Sequence, residues 1–307
     1  MTPEPVWLLQ VEAVNIDSLI EDTGQLSVRR GGGIAMREAV HAVSKMIRSV
    51  KEISDLEEIR SGGSAGLFQF KASEKHKTDL ENNLRDYLNG SSKPALDENL
   101  ETVLPQIGFV VSVVEMKQST AEEIVSRQVL LTRNRLQQMR MPSVYFGDLE
   151  KTHDDSLEEI PPACPYEGCR PASANEINEE YAAESVHARY EYGVAQKQSF
   201  INREMGCLPK ASKFTKDLKD LSECSSEESP GVAADKGEKA VLDPGVVACK
   251  DKIAVLYFDG NNFNKHQEKL DLDGVANFDK KLRETRAKFL QEVIDKYESG
   301  RAMKNNG

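Results

Sequence analysis

The chain has 307 residues, 39% of them apolar and 30% charged, with a formal net charge of −11. That length predicts two domains, and the low apolar share limits them to one or two modest cores with long solvated surfaces. The acidic balance argues against a general affinity for nucleic-acid backbones, which needs clustered Lys and Arg; one local basic strip, Arg127, Arg133, Arg135 and Arg140, runs the other way.

No apolar run approaches the ~20 residues of a membrane helix. The opening Met1-Thr2-Pro3-Glu4-Pro5 has neither the basic end nor the apolar stretch of a signal peptide, so a cytoplasmic location is expected. The five cysteines are odd in number and irregularly spaced, which speaks against a disulfide framework.

Val6 to Ala13 is rich in apolar residues and predicts a strand. A polar stretch comes next and ends in Arg29-Arg30-Gly31-Gly32-Gly33. Ile34, Val40, Val43, Ile47 and Val50 then recur at helical spacing, predicting a helix over 34–50. Two short segments flank Gly62-Gly63, and the second, Ala65 to Phe70, partly alternates; the pair predicts a hairpin. A second helix is expected over 73–89, with Ser73 as N-cap, Leu80, Leu84 and Leu88 on one face and Gly90 as its stop. Ile107 to Val114 is continuously apolar and largely β-branched, the clearest strand in the chain.

The order β-α-β-β-α-β is that of the ferredoxin-like split unit. The predicted fold class is α+β, with residues 5–115 in one antiparallel sheet and both helices on one of its faces. The unit underlies the palm domains of polymerases and nucleotide cyclases, and assigns no function by itself.

Ser119 and Glu122 are spaced as a capping box for a third helix that runs to Arg140 and stops before Pro142. Glu176 to Glu204 is polar and predicts a helix. Cys207 to Cys249 is rich in Ser, Glu, Lys, Gly and Pro, the composition of a flexible insertion. Ile253 to Phe258 predicts a buried strand, with Asp259-Gly260-Asn261-Asn262-Phe263 directly after it. Val275, Phe278, Leu282, Phe289, Val293 and Tyr297 then mark a long amphipathic helix. The expected domains are a first palm over 1–140, a helical and irregular region over 141–250, and the start of a second palm over 251–307.

The chemistry points to Asp259. An acid just beyond a buried strand is well placed to hold a divalent metal, and Gly260 allows close approach to the backbone. Carboxylate and carbonyl oxygens suit Mg²⁺, which also takes triphosphate oxygens. Asp-Gly and Asn-Asn are equally ordinary turn formers, and that reading stands beside the first.

Arg29, Arg30 and the three glycines read either as an anion-binding turn at a helix N-terminus or as a surface loop; no Gly-Lys-Ser comes after them to make a phosphate-binding loop. Cys164 and Cys169, separated by four residues, permit joint zinc ligation, with Cys207 and Cys224 as further candidates. His187 and His266 lack partners at ligand spacing, and no Ser-His-Asp or Cys-His constellation is visible.

The strand ending in Asp259-Gly260-Asn261-Asn262-Phe263 resembles the first metal motif of GGDEF-type cyclases and of the palm polymerase, the large subunit of type III CRISPR effector complexes. Three other stretches resemble that subunit: Ile16 to Leu26 leading into Arg29-Arg30-Gly31-Gly32-Gly33, Ser61 to Phe68, and Cys164 to Ala172. The resemblance implies synthesis of cyclic oligoadenylate from ATP with Mg or Mn, in antiviral defence. It implies other effector subunits and a guide RNA as partners. Asp259 matches the metal-binding acid and serves as the catalytic residue, Gly260 offers a carbonyl to the metal, and Asn261, Asn262 and Phe263 lie beside the nucleotide.

The sequence departs from the pattern at Asn261, where a second acid is usual, and lacks the Gly-Gly-Asp-Asp or Gly-Gly-Asp-Glu hairpin. Gly62-Gly63 is followed by Ser64-Ala65, so the first palm is expected to be a non-catalytic support, with a plain hairpin turn as the simpler reading. The chain is expected to end before the second acidic hairpin and to be inactive alone. The alternatives are a non-catalytic scaffold or nucleotide-binding subunit of such a complex, and a plain ferredoxin-like RNA-binding module, which the charge and the lack of interleaved aromatics disfavour.

Overall fold

The computed structural model describes residues 4–14, 16–20, 22–91, 98–116, 120–140, 162–168, 170–197, 199, 266–267 and 269–305. The protein is α+β. Four strands, β1 (Val6–Val14), β2 (Ser54–Gly62), β3 (Ala65–Lys71) and β4 (Gly108–Met116), form one antiparallel sheet in the order β2-β3-β1-β4. β1 is central, pairing Val6 with Lys71 on one side and Val14 with Gly108 on the other. A single sheet thus holds both strands expected near the ends of 5–115, and the order is that of the ferredoxin-like unit.

Alternation along the strands builds two faces. Trp7, Leu9, Val11 and Ala13 of β1, with Phe68, Phe70, Phe109, Val111 and Val113, form the main core. Against it pack α2 (Leu26–Ser49) and α3 (Glu74–Leu88), with the short helices α1 (Ile16–Ile20) and α4 (Glu98–Val103) at its margin. Ser73 caps α3, accepting from the His76 N–H at 3.3 Å, and Gly90 beyond its end takes φ +72°, a left-handed stop that glycine adopts without strain. The hairpin turn at Gly63 has φ +59°.

The second face carries Leu8, Ile59, Leu67 and Val114, and is covered by Leu130 of α5 (Thr120–Arg140) and by Leu272 and Val275 at the start of α7 (Leu272–Asn305). A register shift between Glu58 and Arg60 bulges β2, so Ile59 and Arg60 both serve this face. Glu58 and Ser61 turn to the other, where Ser44 and Ser61 donate to the Glu58 carboxylate.

Three expectations need correction. The first helix runs over Leu26–Ser49 and begins well before residue 34, so Arg29-Arg30-Gly31-Gly32-Gly33 is neither a loop nor an anion-binding turn. At Gly31 a second helix lies directly on the first. Gly31 faces α6 (Glu184–Ala195), where a Cβ would fall 1.8 Å from the Arg189 carbonyl oxygen; one on Gly193 would fall 2.0 Å from that of Ser27. Arg30 Nε donates to Gly193 O at 2.9 Å across the crossing. Space at the contact, not backbone freedom, selects glycine here.

The stretch 176–204 is also not one helix. A hairpin of β5 (Asn175–Ile177) and β6 (Glu180–Ala182) comes first, turned by Asn178 and Glu179 with φ 51° and 70°, and α6 comes after it. Finally, two members of the strip on α5, Arg127 and Arg133, are engaged with backbone carbonyls. Arg127 donates to the carbonyls of Leu270 and, at 3.1 Å, Gln267, while Arg133 donates to Val113 O at 2.7 Å. Gln137 reaches Val111 O at 3.1 Å. Arg133 and Gln137 thereby cover carbonyls on the outer edge of β4, which would otherwise be open to pairing with another strand.

Candidate functional site

On the second face β1 places Gln10 and Glu12 in register with Leu8, so the strand turns polar towards one corner of the sheet. The bulge in β2 adds Arg60, α5 adds Arg127, Leu131, Arg135 and Gln138, and the segment leading into α7 adds Gln267 and Val275. Together they enclose a cavity of about 150 Å³. Among the described residues three guanidinium groups line it against one carboxylate, in a chain whose net charge is −11.

The carboxylate is held by amides: Glu12 Oε2 accepts from Gln10 Nε2 at 3.3 Å and from Asn134 Nδ2 at 3.5 Å. Arg60 Nη1 donates to Gln267 Oε1 at 2.8 Å, a neutral partner. Burial lowers the pKa of Arg60, and the fields of Asp279 and Glu12 oppose that shift. Asp279, on the first turns of α7, is buried and ion-paired with Arg283 at 2.8 Å. Burial raises its pKa, with Arg283 and Arg60 pulling the other way. It lies beside the hairpin tip, where a Cβ on Gly62 would sit 3.6 Å from Asp279 Oδ1. The corner therefore offers cationic N–H donors, amides and one carboxylate, an arrangement suited to recognising an anion.

The candidate catalytic element, Asp259 with Gly260, Asn261, Asn262 and Phe263, lies outside the described residues, as do the strand expected at 253–258 and the insertion expected over 207–249. A few residues C-terminal to that element, His266 is exposed, its ring 5.5 Å from that of Phe278, and Arg127 holds the carbonyls of Gln267 and Leu270 on the sheet. Of the zinc candidates, Cys169, Cys207 and Cys224 lie outside the described residues. Cys164 is fully buried with a free thiol in an apolar cluster with Val28, Ile177, Ala182 and Val186. Among the described residues no group of three His, Cys, Asp or Glu side chains is placed to hold a metal ion.

A second polar cluster joins two distant stretches. Arg189 of α6, fully buried, donates to Asp22 Oδ1 at 3.1 Å, to Oδ2 at 2.7 Å, and to Leu19 O. Arg170 reaches Asp22 Oδ2 at 3.3 Å and pairs with Glu167 at 3.0 Å. Burial raises the pKa of Glu167; Arg170 lowers it and Asp22 raises it further.

Neither arginine-centred group was foreseen from sequence. The cavity had a signal, the alternation of Gln10 and Glu12 with Leu9, Val11 and Ala13, which marks a half-polar strand face. The Asp22–Arg189 pair spans more than 160 positions and had none.

No protein-family model matches the chain, and no curated protein matches it. Among solved structures it is similar to the crystal structure of an apo Csm1–Csm4 cassette, with a TM-score of 0.34 and 11% identity over 60% of this chain and 29% of that one. The chain thus spans less than a third of the length of that solved chain. No described helix is long and apolar enough to cross a membrane.

Proposed function

We propose that the chain is the palm-bearing part of a type III CRISPR-related nucleotidyltransferase that makes cyclic oligoadenylate from ATP in antiviral defence. The observation that carries the reading is the β2-β3-β1-β4 sheet with its Gly62-Gly63 hairpin, against which the segment just after Asp259-Gly260-Asn261-Asn262-Phe263 is docked. In this reading residues 1–140 are the supporting palm, 141–250 connect, and 251–307 begin the catalytic one. ATP, other effector subunits and a guide RNA are its partners.

In this reading the Asp259 carboxylate and the Gly260 carbonyl would hold Mg²⁺ or Mn²⁺, and Asn261, Asn262 and Phe263 would take the nucleotide. When bound, such a metal would supply neutralisation of the charge that develops at phosphorus. Asp259 is the one acid this reading assigns to the metal, so the test adds a segment carrying a second acidic hairpin.

The test is conversion of labelled ATP to oligoadenylate with Mg²⁺ or Mn²⁺, with and without a segment carrying that hairpin. This chain by itself is expected to bind Mg·ATP weakly and to make no product. With the second hairpin present synthesis is expected, and Asp259→Ala abolishes it. Full activity of Asp259→Ala refutes the site assignment; nucleotide binding without synthesis in every combination favours a non-catalytic scaffold.

A further inference from the structure

The cavity on the second sheet face is lined mostly by β1, β2 and α5, with Gln267 and Val275 from the segment leading into α7, and it has a chemistry of its own. Arg60 is the key group. A guanidinium carries five N–H donors and no acceptor. The Arg60 bond to Gln267 Oε1 at 2.8 Å uses one donor on a neutral amide. Glu12, the one lining carboxylate among the described residues, accepts from Gln10 and Asn134, and Asp279 is paired with Arg283. Both acids act on Arg60 through their fields, which oppose the cost of its burial. A half-buried cation whose described acidic neighbours are held by other donors favours an incoming anion.

The space fits such a ligand. A cavity of about 150 Å³ is of the size that admits a benzene-sized molecule, enough for a tetrahedral oxyanion and bridging water. Arg135 is exposed, and together with Gln138 it forms the solvent side of the lining, so there is a way in. Arg127 faces the same space while its bonds to Gln267 and Leu270 hold the wall in place. The polar lining, with Gln10, Gln138 and Gln267, supplies neutral donors and acceptors around the charged ones.

We infer that this cavity is a binding site for a phosphate-class oxyanion, held by Arg60 and Arg135 against a wall fixed by Arg127. The shared chemistry is a phosphoryl group, free or at the end of a nucleotide. The inference goes beyond the Asp259 reading, because it needs neither metal nor turnover.

The experiment is calorimetric titration of the chain, without divalent metal, with inorganic phosphate, diphosphate and ATP. At least one should bind saturably at one site. Arg60→Gln and Arg135→Gln should each weaken it about tenfold or more, the loss expected when a charge-assisted bond to phosphate is removed. Equal affinity for phosphate and ATP identifies a free-anion site; preference for ATP identifies a nucleotide phosphate. Should an arginine variant fail to fold, Glu12→Gln decides, since removing the one lining carboxylate should tighten binding several-fold by Coulomb's law. Absence of saturable binding by all three ligands overturns the inference. So does binding that is unchanged in Arg60→Gln or weakened in Glu12→Gln.

Discussion

Gly31→Ala and Gly33→Ala are the same chemical change two residues apart on one helix, and the structure predicts opposite signs. Two residues turn the helix by about 200°, so the positions face opposite ways. Alanine is about 1 kcal/mol better than glycine within a helix. At Gly33 an added Cβ meets nothing within 4 Å, so Gly33→Ala should stabilise by up to about 1 kcal/mol. At Gly31 the Cβ would lie 1.8 Å from the Arg189 carbonyl oxygen and 3.0 Å from Gly193 N. Both are backbone atoms of α6 and cannot rotate away, so the helices must separate.

Overpacking of this kind costs about 1–3 kcal/mol. Displacing Arg189 also strains its buried pair with Asp22, for which the loss of a partner costs about 3–5 kcal/mol. About half of that pair loss, roughly 2 kcal/mol, added to the overpacking cost less the propensity gain gives a destabilisation by Gly31→Ala of about 2–4 kcal/mol, a drop in Tm of about 5–15 °C. Urea denaturation followed by circular dichroism measures both variants. Gly193→Ala, whose Cβ would lie 2.0 Å from Ser27 O, should act like Gly31→Ala, and the pair should cost less than the sum because one separation relieves both clashes. If Gly31→Ala is as stable as Gly33→Ala, the crossing of α2 and α6 is wrong.

Two further changes probe the second sheet face. Arg127→Met removes the bonds to Leu270 O and Gln267 O, each worth about 1.5–3 kcal/mol for a charged donor; hydrogen exchange should quicken at the start of α7 while the amides of β1 stay protected, and uniform protection would contradict the anchoring role. Asp279→Asn tests the buried acid. Its native pKa is raised by burial, so its contribution to stability is fully present below the unfolded value near 3.8 and is lost as pH rises through the native one. Asparagine cannot titrate, so the variant should gain on the wild type as pH climbs from about 3 to 7, and a difference independent of pH would refute the assignment.

The α+β class, the hairpin at Gly62-Gly63 and α3 were legible because each rests on local signals. Ile107 to Val114 is too β-branched to be helix, Gly63 needs φ +59°, and Ser73 caps where its spacing says it should. The start of α2 was not legible. Arg29-Arg30-Gly31-Gly32-Gly33 has low helix propensity and reads as a break, but the close approach of α6, about 160 residues later, makes glycine the residue the helix needs. Tertiary packing overrode propensity there. The hairpin at 175–182 was missed because two three-residue strands are too short to show period-two alternation. The arginine cavity was half visible in Gln10 and Glu12, while Arg60 reached it only through a bulge that no pattern in β2 announced.

The buried charge cluster adds a physical link between two of the stretches on which the family resemblance stands. Ile16 to Leu26 contains Asp22, and Cys164 to Ala172 contains Glu167 and Arg170; in sequence they are unrelated segments. In the fold, Arg170 and Arg189 meet Asp22 within 3.3 Å and 2.7 Å, and Cys164 packs with Val28 of α2. A buried arginine at 0% exposure is tolerable only with a paired acid, so Asp22 and Arg189 must be kept or lost together. The short polar run before α2 is therefore explained by what it holds: it carries the counter-charge that lets α6 bury an arginine at the glycine crossing. That requirement is structural, and it accounts for Asp22 without assigning the residue any part in chemistry at Asp259.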